Sequence, residues 1–101
     1  MSEQNSIRKL YDICTLHRGD HSGLIIMRMD DDHFDHAQTP WHREGFVIHI
    51  DKFCWEVIKE RKYKEGRPDG FTYFLNNQSS ESVSVETAID LIQQKLDRNE
   101  S

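Results

Sequence analysis

The stretch DDDHFDHAQTPWHRE, residues 30–44, has the highest density of chemically capable side chains in the sequence. Carboxylates and imidazoles bind divalent cations, and an imidazole also transfers protons near neutral pH. A Zn²⁺ site needs three or four such ligands converging at about 2 Å from the ion, so density alone does not establish one. The stretch is therefore open to three interpretations: a metal site, an acid/base loop, or a solvated acidic loop.

The metal interpretation depends on which side chains the backbone brings together. In an extended chain His33 and Asp35 share one side, and in a helical turn His33 and His36 do, so either conformation assembles only part of a ligand set. We consider the set His33, Asp35, His36 and His42, with Zn²⁺ or Mn²⁺ as the ion and a metal-bound water as the nucleophile of a small metalloenzyme. An EF-hand is excluded, because its glycine and terminal glutamate are not in register.

Charge favours a different reading of the same stretch, an acidic loop that docks onto a protein. The formal net charge is -5, and binding to nucleic acid or an anionic membrane depends on neutralising phosphates with Lys and Arg. We therefore expect a basic protein partner, with no nucleic acid and no membrane. Trp41 would anchor the partner, since Trp is frequent at binding hot spots. The aspartates that would steer it are Asp30, Asp31, Asp32 and Asp35.

Nucleophilic catalysis has little support in the sequence. Cys14 and Cys54 are isolated, without CxxC spacing, and both lie on apolar stripes where a buried thiol is reduced and inert. No GxSxG motif or Gly-rich phosphate loop occurs. The sequence favours a binding role over an enzymatic one, and no cofactor is expected outside the metal alternative.

Two segments combine the helical period with a capping residue. Near residues 6–18 the apolar side chains recur at i, i+3, i+4 and i+7 after Ser6, and near 84–97 a longer stripe follows Ser84. We predict one helix at each. The first stripe contains Ile7, Leu10, Tyr11 and Cys14, and the second contains Val85, Ala88, Ile89, Ile92 and Leu96.

A further helix is predicted near residues 51–64. Asp51 is suited to the N-cap, Trp55 to a hydrophobic staple, and RPDG to a turn that ends the helix. Its apolar stripe would contain Phe53, Cys54, Val57 and Ile58. The basic run KERKYKEGR, residues 59–67, is interpreted as a solvated helix end.

Strands are predicted near residues 24–30, 45–50 and 71–76, from apolar runs, period-2 alternation and aromatic content. The order α-β-β-α-β-α predicts an α+β fold, a three-stranded sheet covered by three helices. The first two strands would pair as a hairpin and the last two would be parallel across the second helix. We expect residues 1–101 to form a single compact domain with short disordered termini.

The predicted core draws on all of these elements. It contains Ile7, Leu10, Cys14, Ile26, Ile48, Val57, Phe71, Tyr73, Ile89 and Ile92. No secretory signal or bilayer-length apolar run is present, so a soluble cytoplasmic protein is expected. The prediction is a small acidic interaction module of the inhibitor, immunity or adaptor type that docks through residues 30–44, with the metal-binding protein as the alternative.

Overall fold

The structure is a computed structural model that describes residues 3–30, 41–64, 67–81 and 83–100. Side chains are described for residues 4–29, 43–61, 70–81 and 83–98. Within these ranges no helix has the length and apolarity needed to cross a bilayer.

The described chain forms one antiparallel sheet and two helices. In chain order the elements are α1 (Glu3–Leu16), β1 (Gly19–Asp20), β2 (Leu24–Asp30), β3 (Trp41–Ile50), β4 (Phe53–Lys64), β5 (Arg67–Asn77) and α2 (Val85–Glu100). The five strands lie side by side in sequence order, and every neighbouring pair is antiparallel. The predicted three-stranded sheet under three helices is therefore wrong, and so is the parallel pair.

The main correction concerns residues 51–64, which form β4 and not a helix. Ile50 and Phe53 are register partners, so residues 51–52 are a two-residue hairpin loop. Asp51 has φ 50°, in the left-handed region that aspartate enters more readily than most residues, whereas an N-cap residue has an extended backbone. The residue interpreted as the start of a helix instead reverses the chain between two strands.

β4 resembles a helix in sequence because both of its faces are partly apolar. Trp55 and Val57 point toward the helices and are fully buried, whereas Cys54 and Ile58 point the other way. Together these side chains mimic a helical stripe. The basic run is likewise not a helix end, because Lys59 and Arg61 lie on β4, and RPDG begins β5 instead of forming a turn.

The two helices cover one face of the sheet and enclose the core. Ser84 caps α2, since its Oγ accepts a hydrogen bond from the Thr87 amide at 3.2 Å. Both predicted terminal helices are confirmed, although α1 begins before Ser6. Most of the predicted core is confirmed, but Phe71 is 43% exposed and Tyr73 only partly buried. The core cluster contains Ile7, Leu10, Ile13, Cys14, Leu24, Ile26, Phe46, Ile48, Ile50, Trp55, Val57, Val85, Ala88, Ile89, Ile92 and Leu96.

Candidate functional site

The face of the sheet that points away from α1 and α2 carries apolar side chains. Leu24 and Ile26 of β2 lie in the core. Because successive side chains of a strand point to opposite faces, Ile25 and Met27 project from the other face. The same alternation applies to β3, β4 and β5. We call this surface the open face; its apolar residues are Ile25, Met27, Met29, Val47, Ile58 and Phe74.

The strand register makes these side chains neighbours. Met29, Gly45, Ile58 and Phe74 are successive register partners across four strands, and Met27 pairs with Val47 in the adjoining part of the face. Ile58 is only 2% exposed although it lies outside the helix-side core cluster. The open face therefore has an apolar cluster of its own.

Three members of this cluster remain substantially exposed to solvent. The exposed fractions are 39% for Ile25, 47% for Met27 and 43% for Phe74. A sheet that exposes one face to water commonly alternates apolar residues inward with polar residues outward. A contiguous apolar patch on the solvent side is a departure from that pattern, and such patches are typical of binding surfaces.

A shallow cavity adjoins the row of register partners. Its volume is about 190 Å³, several times the roughly 30 Å³ share of one liquid water molecule. The lining residues are apolar or carry charges of both signs: Met29, Ile58, Arg43, Glu44 and Glu56. Of these, Glu44 belongs by strand alternation to the helix side of the sheet. The cavity is large enough to admit part of a partner's side chain.

Charged residues surround the apolar cluster on the open face. Arg43 and Glu60 are register partners whose Nε and Oε2 atoms are 3.7 Å apart. Glu56 accepts a hydrogen bond of 2.8 Å from the Gln78 side-chain amide. Among the side chains that the structure describes here, two carboxylates and one guanidinium leave a net negative charge.

His49 and Cys54 lie at the end of the open face, where Ile25, His49 and Cys54 are successive register partners. The Cys54 Sγ and His49 Nε2 atoms are 3.9 Å apart. Burial, followed by the charge of Glu56, raises the pKa of the Cys54 thiol. Both cysteines are free, but Cys54 is only partly buried, so the prediction of a core position is wrong for Cys54 and confirmed for Cys14.

On the helix side of the sheet a charged cluster centres on Glu44. The Tyr11 hydroxyl donates a hydrogen bond of 3.2 Å to this carboxylate, while Lys59 and Arg28 each lie 3.7 Å from it. Burial and the nearby Glu44 carboxylate raise the pKa of Tyr11 well above its ordinary value. The cluster joins α1 to three strands, which gives these charges a structural role.

The residues of the predicted acidic or metal site fall mostly outside the described part of the chain. Asp31, Asp32, His33, Asp35 and His36 all lie outside it. Asp30, Trp41 and His42 are described in the backbone only, where they pair with Glu44, Lys62 and Arg61. The docking loop and the metal set therefore stay predictions, although Trp41 begins β3 and does not lie in a loop.

The described side chains form no metal centre of three or more ligands. No group of three or more His, Cys, Asp or Glu side chains is placed to hold an ion in the described ranges. No protein-family model, curated protein or solved structure matches this chain, so the comparisons assign it to no family. The open face is therefore the feature of the described chain that bears most directly on function.

Sequence reasoning missed the residues of the open face. The continuous apolar run LIIMRM, residues 24–29, predicts a strand buried on both faces, and the predicted helix near residues 51–64 places Ile58 on its apolar stripe. The missed signal is that Ile25 and Met27 alternate with Leu24 and Ile26, so a strand in an antiparallel sheet carries apolar side chains on both faces.

Proposed function

We propose that this chain is a small protein-interaction module, of the inhibitor, immunity or adaptor type, that binds a basic protein partner through the open face. The observation that carries the proposal is the contiguous apolar cluster on a sheet face that neither helix covers. Exposed apolar patches with a polar rim mark interaction sites on soluble domains. The open face has both components.

Binding energy is available from the side chains that remain exposed. Fully burying a large apolar side chain contributes about 1.5–3 kcal/mol relative to leaving it in water. Ile25, Met27 and Phe74 are already more than half buried, so their complete burial supplies on the order of 1 kcal/mol each. Met27 and Met29 add an adaptable surface, because the unbranched thioether side chain fits irregular partners.

The charges around the open face indicate the chemistry of the partner. Glu56 and Glu60 lie on this face, and the aspartate run begins at Asp30, where β2 ends beside Met29. The whole chain carries a formal charge of -5. A partner with an apolar centre and a Lys/Arg rim complements this surface, and the opposite charges accelerate its association.

A second copy of the chain is a poorer match for the same surface. Face-to-face pairing would bring two acidic rims together, and each copy carries the same net charge of -5. Like charges placed against each other at an interface cost several kcal/mol. We therefore expect a basic protein as the partner of the open face, and self-association is one of the outcomes that the experiment distinguishes.

Selection of a random phage-displayed peptide library against the purified chain tests the proposal. We expect enrichment of peptides that combine Lys or Arg with large apolar residues. Their affinity should fall about tenfold or more in Met27→Asp and in Phe74→Asp, because each change places a carboxylate in the apolar contact. Enrichment of acidic peptides, or full binding to both variants, would contradict the proposal.

Leu16 provides the matched control for these variants. It is 79% exposed at the end of α1 and lies away from the open face. Leu16→Asp therefore changes the surface charge by the same amount without touching the proposed site, and it should retain the wild-type affinity. Sedimentation velocity detects the competing occupant: dimerisation of the wild-type chain that Met27→Asp abolishes would assign the open face to a second copy.

A further inference from the structure

The pairing of His49 with Cys54 places two metal-binding atoms close together on a rigid support. The residues are direct partners across the β3–β4 ladder, next to the two-residue loop that joins those strands. The Cys54 amide donates a hydrogen bond of 2.6 Å to Ser79 Oγ, which fixes the backbone of the cysteine. The sheet thus holds in place the two backbones from which Sγ and Nε2 extend, and these atoms are 3.9 Å apart.

That separation is suited to a single ion bound by both atoms. Zn²⁺ binds cysteine sulfur at about 2.3 Å and histidine nitrogen at about 2.0 Å, so two ligand atoms of one ion lie at most about 4.3 Å apart. At 3.9 Å the two bonds meet at a bent angle, which leaves room for further ligands on the solvent side. His49 is exposed and Cys54 partly so, and an ion can reach both.

The electrostatic environment also favours a cation. Burial raises the pKa of the Cys54 thiol, and the nearby negative charge of Glu56 raises it further. Glu56 is held in place by Gln78, whose side-chain amide donates to it at 2.8 Å. A negative charge that disfavours the thiolate alone also attracts a metal ion, and the ion's charge in turn stabilises the thiolate.

We infer that His49 and Cys54 are the two protein ligands of a surface site for one borderline or soft divalent ion of the Zn²⁺ and Co²⁺ class, with water at the remaining positions. On binding, the thiol releases its proton to solvent as the sulfur–metal bond forms, and the imidazole contributes its Nε2 lone pair while Nδ1 keeps its hydrogen. The site uses none of the histidines of residues 30–44 and requires no protein partner.

Titration of the reduced full-length chain with Co²⁺ tests the site, because coordination by a thiolate produces a ligand-to-metal charge-transfer band in the near ultraviolet. Cys54→Ser and His49→Ala should each weaken Co²⁺ binding by at least about tenfold, the lower end of the loss seen when only an outer-shell partner is removed. Zn²⁺ added in excess should displace the cobalt and abolish the band.

Cys14 and His17 supply controls of the same residue types. Cys14 is fully buried in the core, and His17 follows the last residue of α1 on the helix side of the sheet, so Cys14→Ala and His17→Ala should keep the band at full strength. Loss of the band in Cys14→Ala would assign it to the other thiol and overturn the inference. An unchanged band in His49→Ala, or no band in the wild-type chain, would also overturn it. Far-ultraviolet circular dichroism checks that each variant is folded.

Discussion

Gly45 on β3 and Ile58 on β4 are register partners on the open face, and the Val57 carbonyl oxygen lies too close to the position of a Cβ atom on residue 45 for any side chain to fit there without a shift. The glycine therefore permits a close approach of the two strands at the centre of the Met29–Phe74 row. Ile58 is 2% exposed there although neither α1 nor α2 covers it. The apolar cluster of the open face is built on this contact.

Gly45→Ala should destabilise the chain. The new methyl group meets backbone atoms, which cannot rotate away, so β3 and β4 must shift apart; overpacking of this kind costs about 1–3 kcal/mol. Urea denaturation measures the free energy of unfolding. Thr72→Ala, on exposed β5, is the control and should change it by less than about 1 kcal/mol. A Gly45→Ala chain as stable as wild type would show that the strands do not approach this closely.

Core and open-face substitutions should differ in their effect on stability. Ile92 lies on the buried side of α2 and is fully buried. Ile92→Ala should therefore lower the free energy of unfolding by about 2–5 kcal/mol through lost burial and a residual cavity. Met27 is 47% exposed, so Met27→Gln should change it by less than about 1 kcal/mol. A large loss in Met27→Gln would indicate that the open face serves folding instead of binding.

Stability should fall at alkaline pH because of Cys14. Burial raises the pKa of its thiol from 9.0 to about 12 in the folded chain. Above about pH 9 the unfolded thiol ionises while the folded one stays protonated, so the free energy of unfolding falls by about 1.4 kcal/mol per pH unit for this group until about pH 12. Tyr11, whose pKa is also raised, adds to the fall at higher pH.

Urea denaturation at about pH 8, 9 and 10 measures this slope. Cys14→Ala should have a smaller slope above about pH 9, whatever its stability at neutral pH. Identical slopes in the variant and the wild-type chain would contradict the assignment to Cys14.

Local sequence predicted the terminal helices but not the middle of the sheet, for reasons visible in particular residues. The stripes at Ile7 and Ile89 have one apolar face and helical spacing, so period alone identifies them. β4 carries apolar residues on both faces, so local periodicity does not distinguish a strand from a helix there. It forms a strand because it pairs with β3 and β5. Local sequence also places residues 41–44 in a loop, because their pairing with β4 is non-local.

The candidate site is equally hard to predict from local sequence. Arg43 meets Glu60, and Gly45 meets Ile58, only once the β3–β4 register is fixed. Without that register, the open-face residues Ile25 and Met27 of LIIMRM cannot be distinguished from the core residues of the same segment by hydrophobicity. A surface assembled from four strands has no signature within any one segment.

The aspartate run should accelerate association without being needed for folding. Exposed charges act over a Debye length of about 10 Å at about 0.1 M salt, and we expect the carboxylates of the run to attract a cationic ligand over this range. The triple variant Asp31→Asn, Asp32→Asn and Asp35→Asn should therefore bind a selected basic peptide more slowly and with a weaker salt dependence, at unchanged or slightly higher stability. Stopped-flow kinetics at low and high salt measures the rates; equal rates and equal salt dependence would remove the run from the interaction.

The most direct test of the open face as a binding surface is methyl NMR of the chain labelled at methionine and isoleucine, titrated with a selected basic peptide. The labelled methyl groups sample both sides of the sheet: Ile25, Met27, Met29 and Ile58 report the open face, and Ile7, Ile89 and Ile92 report the helix side. We predict large chemical-shift changes for the methyl groups of the open face and small ones for those of the helix side. Shifts confined to Ile7, Ile89 and Ile92 would place the binding site on the helices and contradict it.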